Sequence, residues 1–112
     1  MDTVEKYRKI VCDTLAPLGQ ERFSDPKIVN ETVFDTDLDR YIVVTAGWES
    51  ENKRIYFNLV HVDIIDGKIW IQRDGTEDGV VYDLEDAGIP KSDIVLALHS
   101  ESVRTHTGYA VA

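Results

Sequence analysis

The 112-residue chain has little of several features that would narrow its function quickly. Its single cysteine, Cys12, excludes an internal disulfide, and nothing indicates an oxidising compartment. No apolar run approaches the roughly 20 residues that a membrane-spanning helix needs. The N-terminal residues also lack the basic segment followed by an apolar one that is typical of a signal peptide. These absences favour a cytoplasmic protein that does not enter a membrane.

Basic residues are scarce relative to acidic ones. The chain has 12 Lys and Arg against 21 Asp and Glu, which gives a net charge of −9 at pH 7. Proteins that bind nucleic acid derive much of their affinity from Lys and Arg that neutralise phosphates. The charge balance therefore argues against direct binding of nucleic acid by this chain alone, and it fits high solubility or a basic partner.

Recognisable catalytic and metal-binding patterns are missing as well. His61, His99 and His106 do not have metal-ligating spacing. A Mg²⁺-dependent phosphodiesterase could draw its carboxylates and lysine from Asp63, Asp66, Asp74, Glu77 and Lys68. Lys68 and Asp74 fall at opposite ends of a predicted strand, roughly 20 Å apart, which is too far for one metal site. There is no nucleophile elbow and no glycine-rich phosphate loop. We therefore predict a protein that is not an enzyme, with no catalytic residue, no metal site and no cofactor.

The residues that are present predict one α+β domain over residues 1–112. A hydrophobic content of 43% indicates a folded core. Asp2 followed by Glu5 has the spacing of a helix N-terminus, and Pro17 and Gly19 mark the end of that helix. Its apolar face has helical spacing and consists of Val4, Tyr7, Val11, Leu15 and Leu18.

Strand patterns occupy the middle of the chain. Residues 40–49, 54–65 and 69–74 are rich in β-branched and aromatic residues, and a weaker pattern covers residues 30–34. The connections are short, and Asp66-Gly67 is a strong hairpin signal, so neighbouring strands are predicted to be antiparallel. The 54–65 segment is long for one strand, which favours a bulge or bend.

A second helix is predicted after Asp74, which has capping-box spacing with Glu77, and Thr76 is a competing cap. Its apolar face consists of Val80, Val81, Leu84 and Ala87, and Gly88 and Pro90 mark its end. A short apolar run after Asp93 is a strand or a loop. The predicted fold is thus a single antiparallel sheet of three to five strands, with an N-terminal helix and a helix from the C-terminal half packed on it.

The polar stretch DGKIWIQRDGTEDG, residues 66–79, predicts a hairpin and a helix cap, with Trp70 on the outer face of the sheet. If Trp48 lies there too, with Tyr56 or Tyr41 beside the indoles, the face carries an aromatic patch typical of protein–protein contact. The alternative is that the C-terminal tail covers this face. The sequence pattern leaves both interpretations open.

Several longer strings carry a family resemblance. The run DIIDGKIWIQRDGTEDG, followed by AGIPKSDIVLALH and a closing R-x-x-T-x-Y-A-V-A, resembles the XisI family, small cyanobacterial proteins known as excision controlling factors of the fdxN DNA element. The GWE at residues 47–49 and the Asp35…Asp39-Arg40-Tyr41 segment match as well. The similarity covers nearly the whole chain. Departures from the family pattern are Ser100 in place of Pro, Val81 in place of Ala and Tyr109 in place of Phe.

The resemblance implies a non-enzymatic accessory role in programmed, site-specific excision of a DNA element. It implies contact with a XisH-type companion and with a recombinase that performs the strand chemistry, and it supplies no catalytic residues. An inhibitor or subunit of a nuclease-like companion is the alternative, and the aromatic face and sheet edge also favour a homodimer. The residues predicted to bind a partner are Trp48, Trp70, Gln72, Arg73, His99, Arg104, Thr107 and Tyr109.

Overall fold

The computed structural model describes residues 2–112 as a five-stranded sheet with helices packed against one face. The strands lie in the sheet in the order β1-β2-β3-β4-β5. No helix in this range is long and apolar enough to cross a bilayer. The helices and strands are α1 (Thr3–Leu15), β1 (Ile28–Asp35), β2 (Arg40–Ser50), β3 (Lys53–Ile65), β4 (Lys68–Asp74), α2 (Val80–Asp86), β5 (Ile94–Val95) and α3 (Glu101–Arg104).

The first four strands form an antiparallel meander, as predicted. Asp66 and Gly67 both have positive φ, 51° and 78°, which confirms the tight turn between β3 and β4. The pairing of β2 with β3 shifts register between Val43 and Val44, so the expected irregularity in this long hairpin is present. The α+β class is therefore confirmed.

The predicted antiparallel sheet is confirmed for β1 to β4, and β5 is the exception because it is parallel to β4. The chain leaves β4, forms α2 and returns to the same edge of the sheet, and a crossover of this kind brings two strands together in parallel. Residues 91–93 form a 3₁₀ turn just before β5. The last residues follow β5, and Ala110 forms a parallel bridge with Val95.

Helix α1 has the predicted N-terminus, since the Asp2 carboxylate accepts a hydrogen bond from the Glu5 backbone N–H at 2.8 Å. Tyr7, Val11 and Leu15 are its buried residues, as its apolar spacing predicted. Beyond Leu15 the chain continues as a 3₁₀ turn over Ala16–Gln20. The helix thus ends where Pro17 predicted.

The core lies between the helices and one face of the sheet. Burying each aliphatic side chain stabilises the fold by about 1.5–3 kcal/mol. Fully buried side chains from the sheet and helices include Val11, Leu15, Val43, Val60, Val62, Ile69, Ile71, Leu84 and Ile94.

A polar contact fastens α1 to the sheet. The Asp39 carboxylate accepts hydrogen bonds from Arg8 Nε at 2.8 Å, Arg8 Nη2 at 3.1 Å and the Tyr41 hydroxyl at 2.8 Å. Tyr41 is fully buried, and its position against α1 shows that it belongs to the core side of the sheet.

Helix α2 begins later than predicted. The prediction that Asp74 and Glu77 form a capping box is wrong, because the first helical residue is Val80. The Asp74 carboxylate nevertheless accepts a hydrogen bond from the Val80 backbone N–H at 2.7 Å, six positions along the chain, and one from the Thr76 N–H at 3.0 Å. Asp74 therefore caps the helix across a loop.

We expect Asp74→Ala to lower the free energy of unfolding by about 1–2 kcal/mol, because the N–H of Val80 and the Thr76 hydroxyl lose their acceptor. Urea unfolding followed by circular dichroism measures the change. Asp78→Ala, an exposed carboxylate of the same loop, is the matched control and is expected to change stability by less than about 0.5 kcal/mol. Equal effects for both variants would contradict the capping role.

We also expect a specific pH dependence from Asp39. Its hydrogen bond from Arg8 holds the pKa of this carboxyl below its ordinary value of 3.8. The stabilisation is therefore present above that value and is lost as the pH falls through the lower pKa of the folded state. Asp39→Asn removes the charge and tolerates the positive φ of 56°.

The difference in free energy of unfolding between the wild type and Asp39→Asn should be largest near neutral pH and shrink below about pH 4. Asp37→Asn in the same exposed turn is the control, with a difference near zero. A difference for Asp39→Asn that does not vary between about pH 7 and pH 3 would disprove the assignment.

Candidate partner-binding surface

The sheet face opposite α1 and α2 is called the open face here. Side chains alternate between the two faces along each strand, so the cross-strand register identifies its members. Large apolar side chains are exposed on it, with Val33 53% exposed and Tyr56 64% exposed. On β1 to β4 the open face carries Val29, Glu31, Val33, Asp35, Arg40, Ile42, Val44, Ala46, Trp48, Arg54, Tyr56, Asn58, His61, Asp63, Ile65, Lys68, Trp70 and Arg73.

The open face does not share the strongly acidic character of the chain. Of the 12 basic residues it carries four, Arg40, Arg54, Lys68 and Arg73, but of the 21 acidic residues it carries three. The net charge of −9 is therefore located on the helices, the turns and the opposite side of the sheet. The open face is therefore the part of the surface that repels an acidic partner least.

One end of the open face carries Trp48, Arg54 and Tyr56, the aromatic–arginine cluster. The guanidinium carbon of Arg54 lies 5.4 Å from the Trp48 ring centroid and 5.6 Å from that of Tyr56. Arg54 Nη1 also donates a hydrogen bond to the Gly47 carbonyl at 3.2 Å. These contacts hold three large side chains in place while Trp48 is still 44% exposed.

The backbone at Gly47 sets the position of this cluster. A side chain at residue 47 would place its Cβ 2.1 Å from the carbonyl oxygen of Lys27, so only glycine allows β1 to start this close. The next N–H, that of Trp48, donates to the same Lys27 carbonyl at 3.3 Å. Trp48 then pairs with Arg54 across the hairpin.

A polar group built around Asp63 lies further along the open face. Asp63 is only 6% exposed and contacts His61 Nε2 at 2.8 Å, Gln72 Nε2 at 3.3 Å and Arg40 Nε at 3.7 Å. Sequence analysis missed this group, although the i,i+2 spacing of His61 and Asp63 on a strand predicts that both lie on one face. Gln72 was singled out, but its contact with Asp63 was not.

The His61–Asp63 contact resembles part of a general-base pair, but it lacks a nucleophile. Within residues 2–112 no hydroxyl or thiol hydrogen-bonds to His61. Cys12 lies on α1, and burial raises the pKa of its thiol, which keeps it protonated. The group around Asp63 thus supplies hydrogen bonds and charge to the surface.

The other end of the open face is partly covered by the tail. The Arg104 guanidinium carbon lies 5.6 Å from the Trp70 ring centroid, and Trp70 is half-buried. Arg104 also donates hydrogen bonds to the carbonyl groups of His99 at 2.9 Å, Ala97 at 3.4 Å and Val111 at 3.4 Å. The predicted exposed aromatic face and the predicted cover by the tail therefore each hold in part, since the tail contacts Trp70 and leaves Trp48 exposed.

The two tryptophans share the open face but are well separated. Their partners on β3 are Arg54 and Asp63, nine residues apart, which corresponds to about 30 Å along the strand. Tyr56 lies beside Trp48 as expected, whereas Tyr41 is buried on the other side of the sheet and forms no part of an exposed patch. The expected single patch is two clusters.

The remaining predicted residues lie in different surroundings. Arg73 is exposed and donates to the Asn58 carbonyl at 3.2 Å, and His99 is exposed in a turn. The Thr107 side chain bonds to the backbone of the tail. Tyr109 packs toward α2, where its hydroxyl donates to Glu85 at 2.7 Å, and burial and Glu85 raise its pKa to about 12. Contact of these residues with a partner stays a prediction.

The fold and the open face define a two-layer α+β protein whose exposed features suit contact with another protein. The family model described as XisI protein matches residues 1–111, and the chain belongs to the XisI family. Among curated proteins, none matches it.

Two solved structures, both from Anabaena variabilis ATCC 29413, are similar to this chain. One is a XisI-like protein with 35% sequence identity and a TM-score of 0.89, covering 97% of this chain and 99% of its own. The other is the fdxN element excision controlling factor XisI, with 30% identity and a TM-score of 0.86, covering 99% and 100%.

We expect Arg104→Ala to loosen the tail, because one side chain makes three hydrogen bonds to tail carbonyls and stacks on Trp70. Amide exchange at Ala110, whose N–H donates to Ile94, should become roughly tenfold faster. Hydrogen exchange measured by NMR or mass spectrometry tests this. Arg73→Ala is the control, and equal acceleration by both variants would show that Arg104 does not hold the tail.

Proposed function

We propose that this protein is a non-enzymatic controlling factor for the excision of a DNA element, and that it acts by binding other proteins through its open face. Family membership supports the role in excision control, together with the similarity to an fdxN element excision controlling factor. The contacts of the open face support the mode of action. The role requires the compartment that holds the DNA, so we propose a cytoplasmic protein.

The observation that carries this proposal is the aromatic–arginine cluster. Trp, Tyr and Arg are the side chains that most often dominate the energy of protein interfaces. Trp48, Arg54 and Tyr56 are all exposed, and the contacts of the Arg54 guanidinium with both rings hold the three side chains together in the unbound protein. Because little side-chain entropy is left to lose on binding, such a cluster favours high affinity.

The partners we propose are a XisH-type companion and, through it, a recombinase that performs the strand chemistry. An acidic chain does not favour binding DNA unaided, since phosphates and carboxylates repel each other. Control through protein contact avoids that repulsion. Arg40 and Gln72, which surround the buried Asp63 and are exposed, then supply hydrogen bonds that fix the orientation of the companion.

A second candidate is an inhibitor of a nuclease-like companion. It is favoured by the location of 18 of the 21 acidic residues off the open face, where they can imitate the charge of DNA. Association of this kind weakens steeply with ionic strength. A dissociation constant that is unchanged between about 50 and 500 mM NaCl would eliminate this candidate.

We expect Trp48→Ala and Arg54→Ala each to weaken binding to a purified XisH-type companion by about 30-fold, which is the loss typical of a central interface residue. Isothermal titration calorimetry measures the dissociation constants. Neither side chain is in the core, so both variants should keep the wild-type circular dichroism spectrum.

Leu38→Ala is the control for this experiment, because Leu38 is 66% exposed in the turn between β1 and β2 and lies outside the cluster. It should bind the companion as the wild type does. Unchanged affinity in Trp48→Ala and Arg54→Ala would place the contact elsewhere, and loss confined to Trp70→Ala and Arg73→Ala would move it to the other end of the open face. Sedimentation of the chain alone tests the predicted homodimer.

A further inference from the structure

A cleft lies on the helix side of the sheet, on the face opposite the aromatic–arginine cluster. It has a volume of about 460 Å³ and opens between the end of α1, the loop that precedes α2, and the part of the β2–β3 hairpin that the helices leave uncovered. This volume falls in the range typical of binding clefts. The cleft shares no residue with the open face.

Part of the cleft lining is apolar, and the rest includes Thr14, Thr45 and Thr76. Its walls include Leu18, Phe23, Phe57 and Leu59, and the two phenylalanines are 40% and 42% exposed. Phe57 pairs with Thr45 on the helix side of the sheet, where the helices leave it partly uncovered. Exposed aromatic side chains that line a concavity are a common feature of interaction sites.

The shape of the cleft is set before any ligand binds. The Thr45 hydroxyl donates to the Asn30 side-chain oxygen at 2.6 Å, and the Asn30 amide donates to the Leu18 carbonyl at 3.1 Å. Both polar side chains are buried, so this chain of hydrogen bonds ties the 3₁₀ turn after α1 to the sheet. One wall of the cleft is thereby held rigidly against its floor.

The rim of the cleft is acidic. Glu21, Glu77, Asp78 and Asp83 line it, all four are exposed, and no Lys or Arg among residues 2–112 lines it with them. None of the four carboxylates forms an ion pair within the same range of residues. Four uncompensated negative charges around an apolar floor attract a ligand that is basic at its edges and apolar at its centre.

We propose that this cleft binds a basic amphipathic segment of a partner protein, with an apolar side chain inserted between Phe23 and Phe57 and with Lys or Arg residues facing the rim. Amphipathic helices are recognised in this way, by an apolar groove that receives one face and by charges that select the rest. The site is independent of the open face, so one protein contacts partners on both sides of its sheet.

The charge of the rim favours a basic segment over a second copy of the chain or nucleic acid. A second copy of the chain carries a net charge of −9, and nucleic acid carries phosphates, so both are repelled by the rim. A basic amphipathic segment places Lys or Arg against the acidic rim and an apolar side chain between Phe23 and Phe57.

The test uses the full chain and a synthetic probe. The probe is an acetylated and amidated peptide of about 16 residues, with Leu at helical spacing and Lys at the other positions, and a second peptide has Glu in place of every Lys. We expect saturable binding of the lysine peptide alone. Amide shifts in NMR spectra should be confined to residues 75–80 and to the surroundings of Phe23 and Phe57. Absence of saturable binding at about 1 mM peptide would refute the proposal.

Two matched triple variants distinguish binding at the rim from general attraction between opposite charges. Neutralising the rim as Glu77→Gln, Asp78→Asn and Asp83→Asn should weaken binding about tenfold at low salt. The control removes the same charge elsewhere, as Asp37→Asn, Glu51→Gln and Glu101→Gln, three exposed residues outside the cleft. Equal weakening by both variants would overturn the proposal, as would unchanged binding in Phe57→Ala.

Binding of the lysine peptide to Trp48→Ala should match the wild type, because Trp48 lies on the open face. Failure of this proposal is thereby distinguishable from failure of the proposed function. Loss of peptide binding in Trp48→Ala would show that the probe uses the open face instead of the cleft.

Discussion

β2 and β3 pair over most of their length, in a register that decides the side of the sheet on which Trp48, Arg54 and Tyr56 lie. Val43 pairs with Val60 toward the helices, whereas Trp48 pairs with Arg54 on the open face. A slip of one residue would exchange these two sets and bury the arginine in place of the valine. The core and the candidate surface thus depend on the register of the same hydrogen-bonded hairpin.

The consequence of this arrangement is an uneven distribution of charge. The open face carries arginine and aromatic side chains, and the cleft on the other side has an acidic rim around exposed phenylalanines. Attraction between opposite charges and burial of apolar area would then act on different partners at the two sites. Under the proposed function, a controlling factor with two such surfaces would hold two other proteins in a fixed relation.

The candidate surface could be predicted from the sequence in its parts but not in its layout. Alternation along the strand correctly placed Trp70 on the outer face, because Ile69 and Ile71 face the core. The contact of Arg104 with Trp70 joins residues 34 positions apart, and local patterns do not encode it. The burial of Tyr41 was equally hidden, since it depends on α1 packing against the sheet, where Asp39 of the β1–β2 turn accepts hydrogen bonds from both Arg8 and Tyr41.

Local chemistry in the sequence determined the start of α1, the turn at Asp66-Gly67 and the antiparallel meander, because caps and tight turns use residues that are neighbours in the chain. The sequence also showed the family resemblance, in strings that include the turn and the tail. Only the tertiary structure decided the parallel pairing of β5, the contact of Arg104 with Trp70 and the cleft beside Phe57. Each of these requires the chain to return to a distant segment, and the packing of the whole core determines where it returns.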